Sequence, residues 1–333
     1  MAITGNNEIR SNLLQCPRDN NDKIFFTLMD YLNNLFTSKN PNDILRFYDY
    51  FENRDQLIKW MRERPKGNYR IVEFNKDEND IIVVIPTMDV NGKFAKTCRE
   101  EIFKGLHIIF VESGVGNYYF NIAHNINAGI KKALEYNPKW IILSADDMYK
   151  IDDVEVLKKE LSKIDNYFVN QVFIKTSIYH SIPAKFGKPR LIRPIISAIY
   201  NRKKCKNIFD CLRITLIENK IEKKFKVKYY FAPLNSIAIK NGYTLISFTD
   251  FGIFSAEYIK KNQGVLFDDT FINAQEDHDA ILKFFIDKNN YIIIDYKIGD
   301  YIGSSLGIGI DRDLRDIAGY IYLNYKWENK IPK

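Results

Sequence analysis

Hydrophobic positions along this chain change period once. In residues 24–36 and 44–61 they recur at three- and four-residue spacings, with Ile44, Phe47, Tyr48 and Phe51 as the clearest set. That is the pattern of amphipathic helices. Residues 1–78 otherwise lack a sheet pattern, so the spacing predicts a helical N-terminal extension, followed by a turn at Pro65, Lys66 and Gly67. Helices packed on the main domain are the plain reading, and an acceptor, membrane or oligomer module is the other. At Asp80 the texture changes. DIIVVIP (80–86) is a β-branched run stopped by proline, as a buried strand is. Residues 95–104 suit a short helix, and LHIIFVESG (106–114) reads as a second strand ending in acid, serine and glycine. Residues 120–136 place Ile122, Ile126, Ile130 and Ala133 on one helical face, and WIILS (140–144) is a third strand. Strand, helix, strand, helix, strand predicts right-handed crossovers and an α/β fold with a mostly parallel central sheet flanked by helices. It also brings Thr87, Glu112 and Asp146 to the carboxyl ends of neighbouring strands, where open α/β sheets bind ligands.

The second half is less regular. KFGKPRLIRPIISAIYNRKKCK (185–206) contains no acid, and KIEKKFKVK (220–228) continues the basic trend. A solvated loop and strand face is the ordinary fate of such runs. Contact with phosphate or a lipid headgroup is the next reading and nucleic acid the last, since no nucleic-acid motif accompanies the charge. YYFAPLNSIAIK (229–240) reads as a strand, GVLFDDTFINAQEDHDAILKFF (264–285) as a loop feeding a helix, and YIIID (291–295) as another strand. The stretch GYIYLNYKW (319–327) is aromatic and basic: packing on its own domain and peripheral contact with a membrane interface are both open to it.

Composition adds limits. The 333 residues suffice for one large domain with an appendage, and 46% hydrophobic with 27% charged residues is ordinary for a globular protein. The net charge of +7, from 49 basic and 42 acidic residues, is compatible with an anionic ligand but selects none. Cys16, Cys98, Cys205 and Cys211 show neither zinc spacing nor a disulfide framework. The N-terminus is polar, and the apolar runs 81–86 and 106–111 fall short of the roughly 20 residues needed to cross a bilayer. These features predict a cytoplasmic protein, soluble or peripheral at the membrane's cytoplasmic face.

The candidate chemistry is carboxylate chemistry. In WIILSADDMYKIDDV (140–154) a buried-strand pattern breaks directly into Asp146 and Asp147, while Asp152 and Asp153 suit the start of the next helix. An Asp pair there is either a helix cap with a spare acid or part of a site. A nucleotide diphosphate used as a leaving group needs its growing negative charge neutralised, most simply by Mg²⁺ or Mn²⁺. Such cations take one or two protein carboxylates and complete their shell with phosphate and water. A second acidic cluster, QEDHD (275–279), precedes an apolar helix pattern. Its acids favour a helix N-terminus, and one of them could serve as a general base. The four histidines form no HExxH pair, and the chain has no GxSxG elbow, no phosphate-binding GxxxxGK[ST] loop and no GxGxxG after the first strand.

Five of these pieces, in order, resemble family 2 glycosyltransferases of the GT-A fold, over about residues 80–305. IIVVIPT (81–87) resembles the first strand and its nucleotide edge, and FVESG (110–114) the second strand, with Glu112 where the family usually has Asp. NAGIKKA (127–133) is similar to the family's Asn-x-Gly-Ile helix, LSADD (143–147) to its Asp-x-Asp segment, and GVLFDDTFINAQEDHD (264–279) to the stretch running into its Glu-Asp motif. The resemblance implies a GT-A type, Rossmann-like domain over 79–310, with a nucleotide-binding half at 79–150 and an acceptor half at 151–310. The helical extension (1–78) precedes it and a tail (311–333) follows.

By the same resemblance, Asp146 is the metal ligand for Mn²⁺ or Mg²⁺ and Asp277 the catalytic base. Pro86, Thr87 and Glu112 hold the base and ribose, and Ser144 and Asp147 complete the donor side. The implied activity is inverting transfer of a sugar from a UDP- or GDP-sugar to a hydroxyl of a glycan, lipid-linked or protein acceptor, with no nucleic-acid partner. Two departures stand out. Ser144 replaces the first Asp of the Asp-x-Asp segment, and in DYIGSS (300–305) Asp300 stands where the family often has His, as a replacement metal ligand. These departures keep open a catalytically degenerate domain that binds a nucleotide-sugar or a partner without turnover.

Overall fold

The fold was obtained as a computed structural model, which describes residues 21–174, 208–227, 251–301 and 309–330. The basic segment 185–206, the expected strand at 229–240, Cys16 and Cys205 lie outside these residues. Helices α1 (Asn21–Thr37), α2 (Pro41–Tyr50) and α3 (Arg54–Glu63) come first. The helical periodicity through 44–61 is interrupted because Asn53 caps α3, its side chain accepting from the N–H groups of Asp55 and Gln56. Ile44, Phe47 and Tyr48 face inward on α2, and Phe47 packs its ring 4.7 Å from that of Trp60 and 5.0 Å from that of Phe36.

Next come β1 (Arg70–Phe74), β2 (Ile81–Thr87), α4 (Lys93–Thr97) with a π-helical turn (Cys98–Ile102), β3 (His107–Glu112), α5 (Ile122–Leu134) and β4 (Trp140–Ser144). The chain continues through β5 (Met148–Lys150), α6 (Val154–Leu161), β6 (Gln171–Ile174), α7 (Ile208–Lys224), β7 (Phe251–Ser255) and α8 (Ala256–Lys261). It ends with α9 (Glu276–Ile286), β8 (Tyr291–Ile294), β9 (Ile298–Asp300) and α10 (Ile310–Trp327). Seven strands form one sheet in the order β1-β3-β2-β4-β7-β6-β8, and β5 pairs with β9 in a separate ribbon.

The protein is therefore α/β, with helices on both faces of the central sheet. The sheet is mixed: β3-β2-β4 and β6-β8 are parallel, whereas β1-β3, β4-β7 and β6-β7 are antiparallel. The expectation that residues 1–78 contain no strand is corrected by β1. Five residues carrying Arg70 and Glu73 on a partly exposed edge give too weak an alternation to read.

Period-two alternation explains the two layers. Ile82, Val84, Ile109, Val111, Ile141 and Leu143 face α5 and the N-terminal helices. Val83, Ile85, Ile108, Phe110 and Ile142 face the layer built from the π-helical turn and α6. Every residue of β2, β3 and β4 is buried, so these strands read as continuous apolar runs. The tail is a helix: α10 buries Trp327 and Leu323 and is joined to α2 by Tyr48, whose hydroxyl donates to the carbonyl of Leu314 at 2.7 Å. Among the described residues no helix is long and apolar enough to cross a membrane.

Candidate functional site

The register of the parallel core fixes the rim. Thr87 at the end of β2 lies opposite Glu112 at the end of β3, and β4 ends at Ser144 on the other side of β2. Two residues beyond the last paired position of β4, Asp146 turns back across the rim. Thr87 Oγ1 donates to Asp146 Oδ2 at 2.7 Å. The carbonyl of Thr87 accepts from the N–H of Ser113 at 2.9 Å, so the end of β2 is held from both neighbouring strands. Pro86 is buried beside Val111 and brings no N–H to the site.

Asp146 is the electrostatically unusual group. Burial pushes its carboxyl up to about 6; the Thr87 hydroxyl opposes that shift and the neighbouring Asp147 charge adds to it. Cys98 Sγ lies 3.3 Å from the Asp146 carbonyl oxygen, and burial pushes its thiol up, so it stays protonated as a donor. Removing the Thr87 hydroxyl removes the contact that favours the ionised acid. In protein stripped of divalent cations, Thr87→Val should therefore titrate Asp146 at higher pH than wild type, as read by carboxyl ¹³C NMR. An unchanged titration would show that Thr87 leaves the carboxyl unaffected.

Asp300 approaches through the β5–β9 ribbon. It lies opposite Met148, and the N–H of Tyr301 donates to the Asp147 carbonyl at 2.9 Å. Asp147 itself is buried. Backbone pairing thus sets Asp300 beside the Asp147–Met148 segment, from a connection more than a hundred residues further along the chain. Among the described residues no three Asp, Glu, His or Cys side chains form a metal-holding group. This sparse carboxylate set suits a divalent cation shared with phosphate oxygens, and does not suit one caged by protein alone. Ser144 adds no ligand: it is fully buried, and its hydroxyl donates to the Ala145 carbonyl at 2.9 Å.

Glu112 is already engaged. Its Oε1 accepts from the N–H of Val90 at 3.0 Å and its Oε2 from Arg70 Nε, and the Arg70 guanidinium holds the carboxyl below the ordinary Glu range. Arg70 is a rim residue that sequence reasoning missed. It sits on β1, where the weak edge pattern hid the strand, and no local signal pairs it with Glu112. Asp152, read from sequence as a helix start, accepts from the N–H of Lys297 at 2.8 Å and so ties the β5–β9 ribbon.

Asp277 belongs to a second cluster. It lies in the first turn of α9 with its side chain 14% exposed, and its Oδ1 accepts from the N–H of His278 at 2.7 Å. The lead-in to α9 is held on α5 by buried asparagines. Asn127 accepts from the N–H groups of Leu266 and Phe267 and donates to the Phe267 carbonyl at 2.7 Å, while Asn121 donates to the carbonyls of Asp269 and Phe271. Compared with protein-family models, curated proteins and solved structures, the chain gives no match.

Proposed function

We propose that the protein is a metal-dependent inverting glycosyltransferase of the GT-A kind, transferring a sugar from a nucleotide-diphosphate donor to an acceptor hydroxyl. The observation that carries this reading is the half-buried Asp146 carboxyl just beyond the end of β4, bonded to Thr87 of β2 and flanked by the buried Asp147. Carboxylates concentrated at the carboxyl rim of a parallel strand core match the need to bind a diphosphate through a divalent cation. Asp146 would hold Mn²⁺ or Mg²⁺, with Asp300 as second ligand, and the ion would supply charge neutralisation for the departing diphosphate. Thr87 and Cys98 orient the Asp146 segment. Asp277 takes the proton from the acceptor hydroxyl as its oxygen bonds to the anomeric carbon, and the sugar–phosphate bond breaks with its electron pair leaving on the diphosphate. Attack opposite the leaving group inverts the anomeric centre.

Calorimetric binding of UDP and GDP, each with and without Mn²⁺, tests the reading. Wild type should bind one nucleotide in a Mn²⁺-dependent manner, and Asp146→Asn should lose that dependence. Asp300→Ala should weaken the metal titration; an unchanged titration would remove Asp300 from the ligand set. One observation favours a second reading, a domain that binds a nucleotide-sugar or partner without turnover: Ser144 spends its hydroxyl on a backbone carbonyl where the resemblance expects a carboxylate. Folded wild type that binds neither nucleotide would overturn the first reading. Nucleotide binding without sugar transfer to any acceptor would favour the second.

A further inference from the structure

A helix face turned to water ordinarily carries polar residues, because apolar side chains there stay hydrated and gain nothing from folding. Helix α7 departs from that pattern. Its inner face is packed: Ile221 and, just past the helix end, Phe225 are buried, with the Phe225 ring 6.1 Å from that of Tyr48. Lys224 Nζ donates to the Tyr48 carbonyl at 2.8 Å, which ties this end of the helix to α2, and α10 packs alongside. The outer face carries Phe209, 78% exposed, and Leu216, 61% exposed. They lie seven residues apart and so stand on one side of the helix.

Charge continues along the same side. Lys220 and Lys223 come four and seven residues after Leu216 and are exposed, as is Lys226 in the turn beyond. The helix sets three acids against them, Asp210, Glu218 and Glu222. Glu222 is buried, and Glu218 faces α10, where its charge acts on the Tyr320 hydroxyl. Asp210 follows Phe209 in the chain, about 100° further round the helix. Before the helix, Arg202, Lys203, Lys204 and Lys206 lie within six positions of its first residue, in a stretch (185–206) of eight basic residues and no acid. The exposed apolar pair is thus bracketed along the chain by cations.

That order matches an anionic bilayer surface. The acyl boundary takes the apolar side chains, and the headgroup charges take the Lys and Arg on either side. Aromatic anchors at a protein interface are seated in packed pockets. Side chains standing this far out of a convex helix suit a boundary that deforms around them. The aromatic stretch 319–327 does not compete for the role, because α10 buries Tyr322, Leu323 and Trp327.

We propose that the outer face of α7 is a docking surface for an anionic lipid bilayer, with Phe209 and Leu216 entering the acyl boundary and Lys220 and Lys223 at the headgroups. The surface does not depend on the transferase reading.

Sedimentation of the full chain with vesicles tests the proposal, using phosphatidylcholine alone and phosphatidylcholine with about one third phosphatidylserine. The proteins compared are wild type, Phe209→Gln/Leu216→Gln and Lys220→Gln/Lys223→Gln. Wild type should bind the anionic vesicles and not the neutral ones, and less at high salt. Each double variant should weaken that partitioning by about 10-fold or more, from two lost insertions or two lost headgroup contacts. Phe209→Trp should shift its emission to the blue on the anionic vesicles and be quenched by lipids brominated along the acyl chain. Urea midpoints of both double variants should match wild type, since all four side chains face solvent. A lowered midpoint for Phe209→Gln/Leu216→Gln would show that the chain itself covers this face, and would overturn the proposal. So would absence of vesicle binding, equal binding to neutral vesicles, or binding that neither double variant weakens.

Discussion

Replacing Lys326 by Met should destabilise the protein by about 3 kcal/mol, the low end of the range for removing one partner from a buried ion pair. Lys326 Nζ stands between two carboxylates, 2.8 Å from Asp268 Oδ2 and 2.7 Å from Asp279 Oδ2. Asp279 is almost fully buried and also accepts from Trp327 Nε1 at 2.7 Å, while Asp268 accepts from the Tyr322 hydroxyl at 2.8 Å. The cluster pins α10 to the segment that leads into α9 and Asp277. Without the ammonium, two carboxylates face each other in a poorly solvated site.

The pH dependence follows from the shifts. Lys326 holds the Asp268 carboxyl below its ordinary value of 3.8 despite burial, so this contribution is present above 3.8 and is lost as pH falls through the lower folded value. The Lys326 ammonium is raised above 10.5, and its contribution is complete below 10.5 and lost as pH rises through the folded value. Burial raises Asp279 even beside Lys326, so its own contribution is unfavourable once pH exceeds 3.8. Urea midpoints should therefore show the Lys326→Met loss greatest near neutral pH and shrinking toward pH 4, where in the variant the two buried acids, no longer held ionised by the ammonium, take up protons. The double variant Lys326→Met/Asp279→Asn keeps the acceptor for Trp327 and should recover part of the loss. If it loses as much as the single variant, the cause is packing of the lysine stem and not charge.

Gly129→Ala should also destabilise, by about 2 kcal/mol, against the ordinary sign for a helix interior. Propensity alone favours Ala over Gly by about 1 kcal/mol. Here α5 rests directly on the sheet: a Cβ at position 129 would stand 2.3 Å from Val84 Cγ1 and 2.8 Å from Val111 Cγ2. Both valines are fully buried in β2 and β3, so neither can turn aside. Overpacking of this kind costs about 1–3 kcal/mol, and the contact is closer than a real Cβ tolerates. Adding Val84→Ala opens the space, so the double variant should lose less than the sum of the two single losses. Strict additivity in urea unfolding would show that residue 129 does not press on Val84. The consequence reaches the rim, because β2 and β3 run from these valines directly to Thr87 and Glu112.

Much of this fold was legible before any coordinates. Residues 81–87, 107–112 and 140–144 are strands because β-branched runs bounded by polar residues suit a sheet covered on both faces, and the Ile126–Ile130 spacing suits the helix between two of them. Their order in the chain was enough to set Thr87, Glu112 and Asp146 at one rim, because right-handed crossovers leave few alternatives. Local pattern was not enough for β1, nor for the short strands β6 and β7 that make the sheet mixed. Four or five residues carry little periodicity, and their pairing depends on partners about 35 to 115 residues away.

The charges were least legible of all. Asp146 is an ordinary acid in the sequence, and its carboxyl rises to about 6 only because folding buries it beside Asp147. Arg70 meets Glu112 across an edge ladder, and Asp300 comes to lie opposite Met148, next to Asp147 in the chain, through a ribbon closed more than 140 residues later. The sequence by itself determined which segments are strands and helices and which acids follow the strand ends, since those depend on local composition and period. Only the tertiary structure decided which charges are buried, which are answered and which, like Lys220 and Lys223, stand exposed along one helix face, because desolvation and long-range pairing have no local signature.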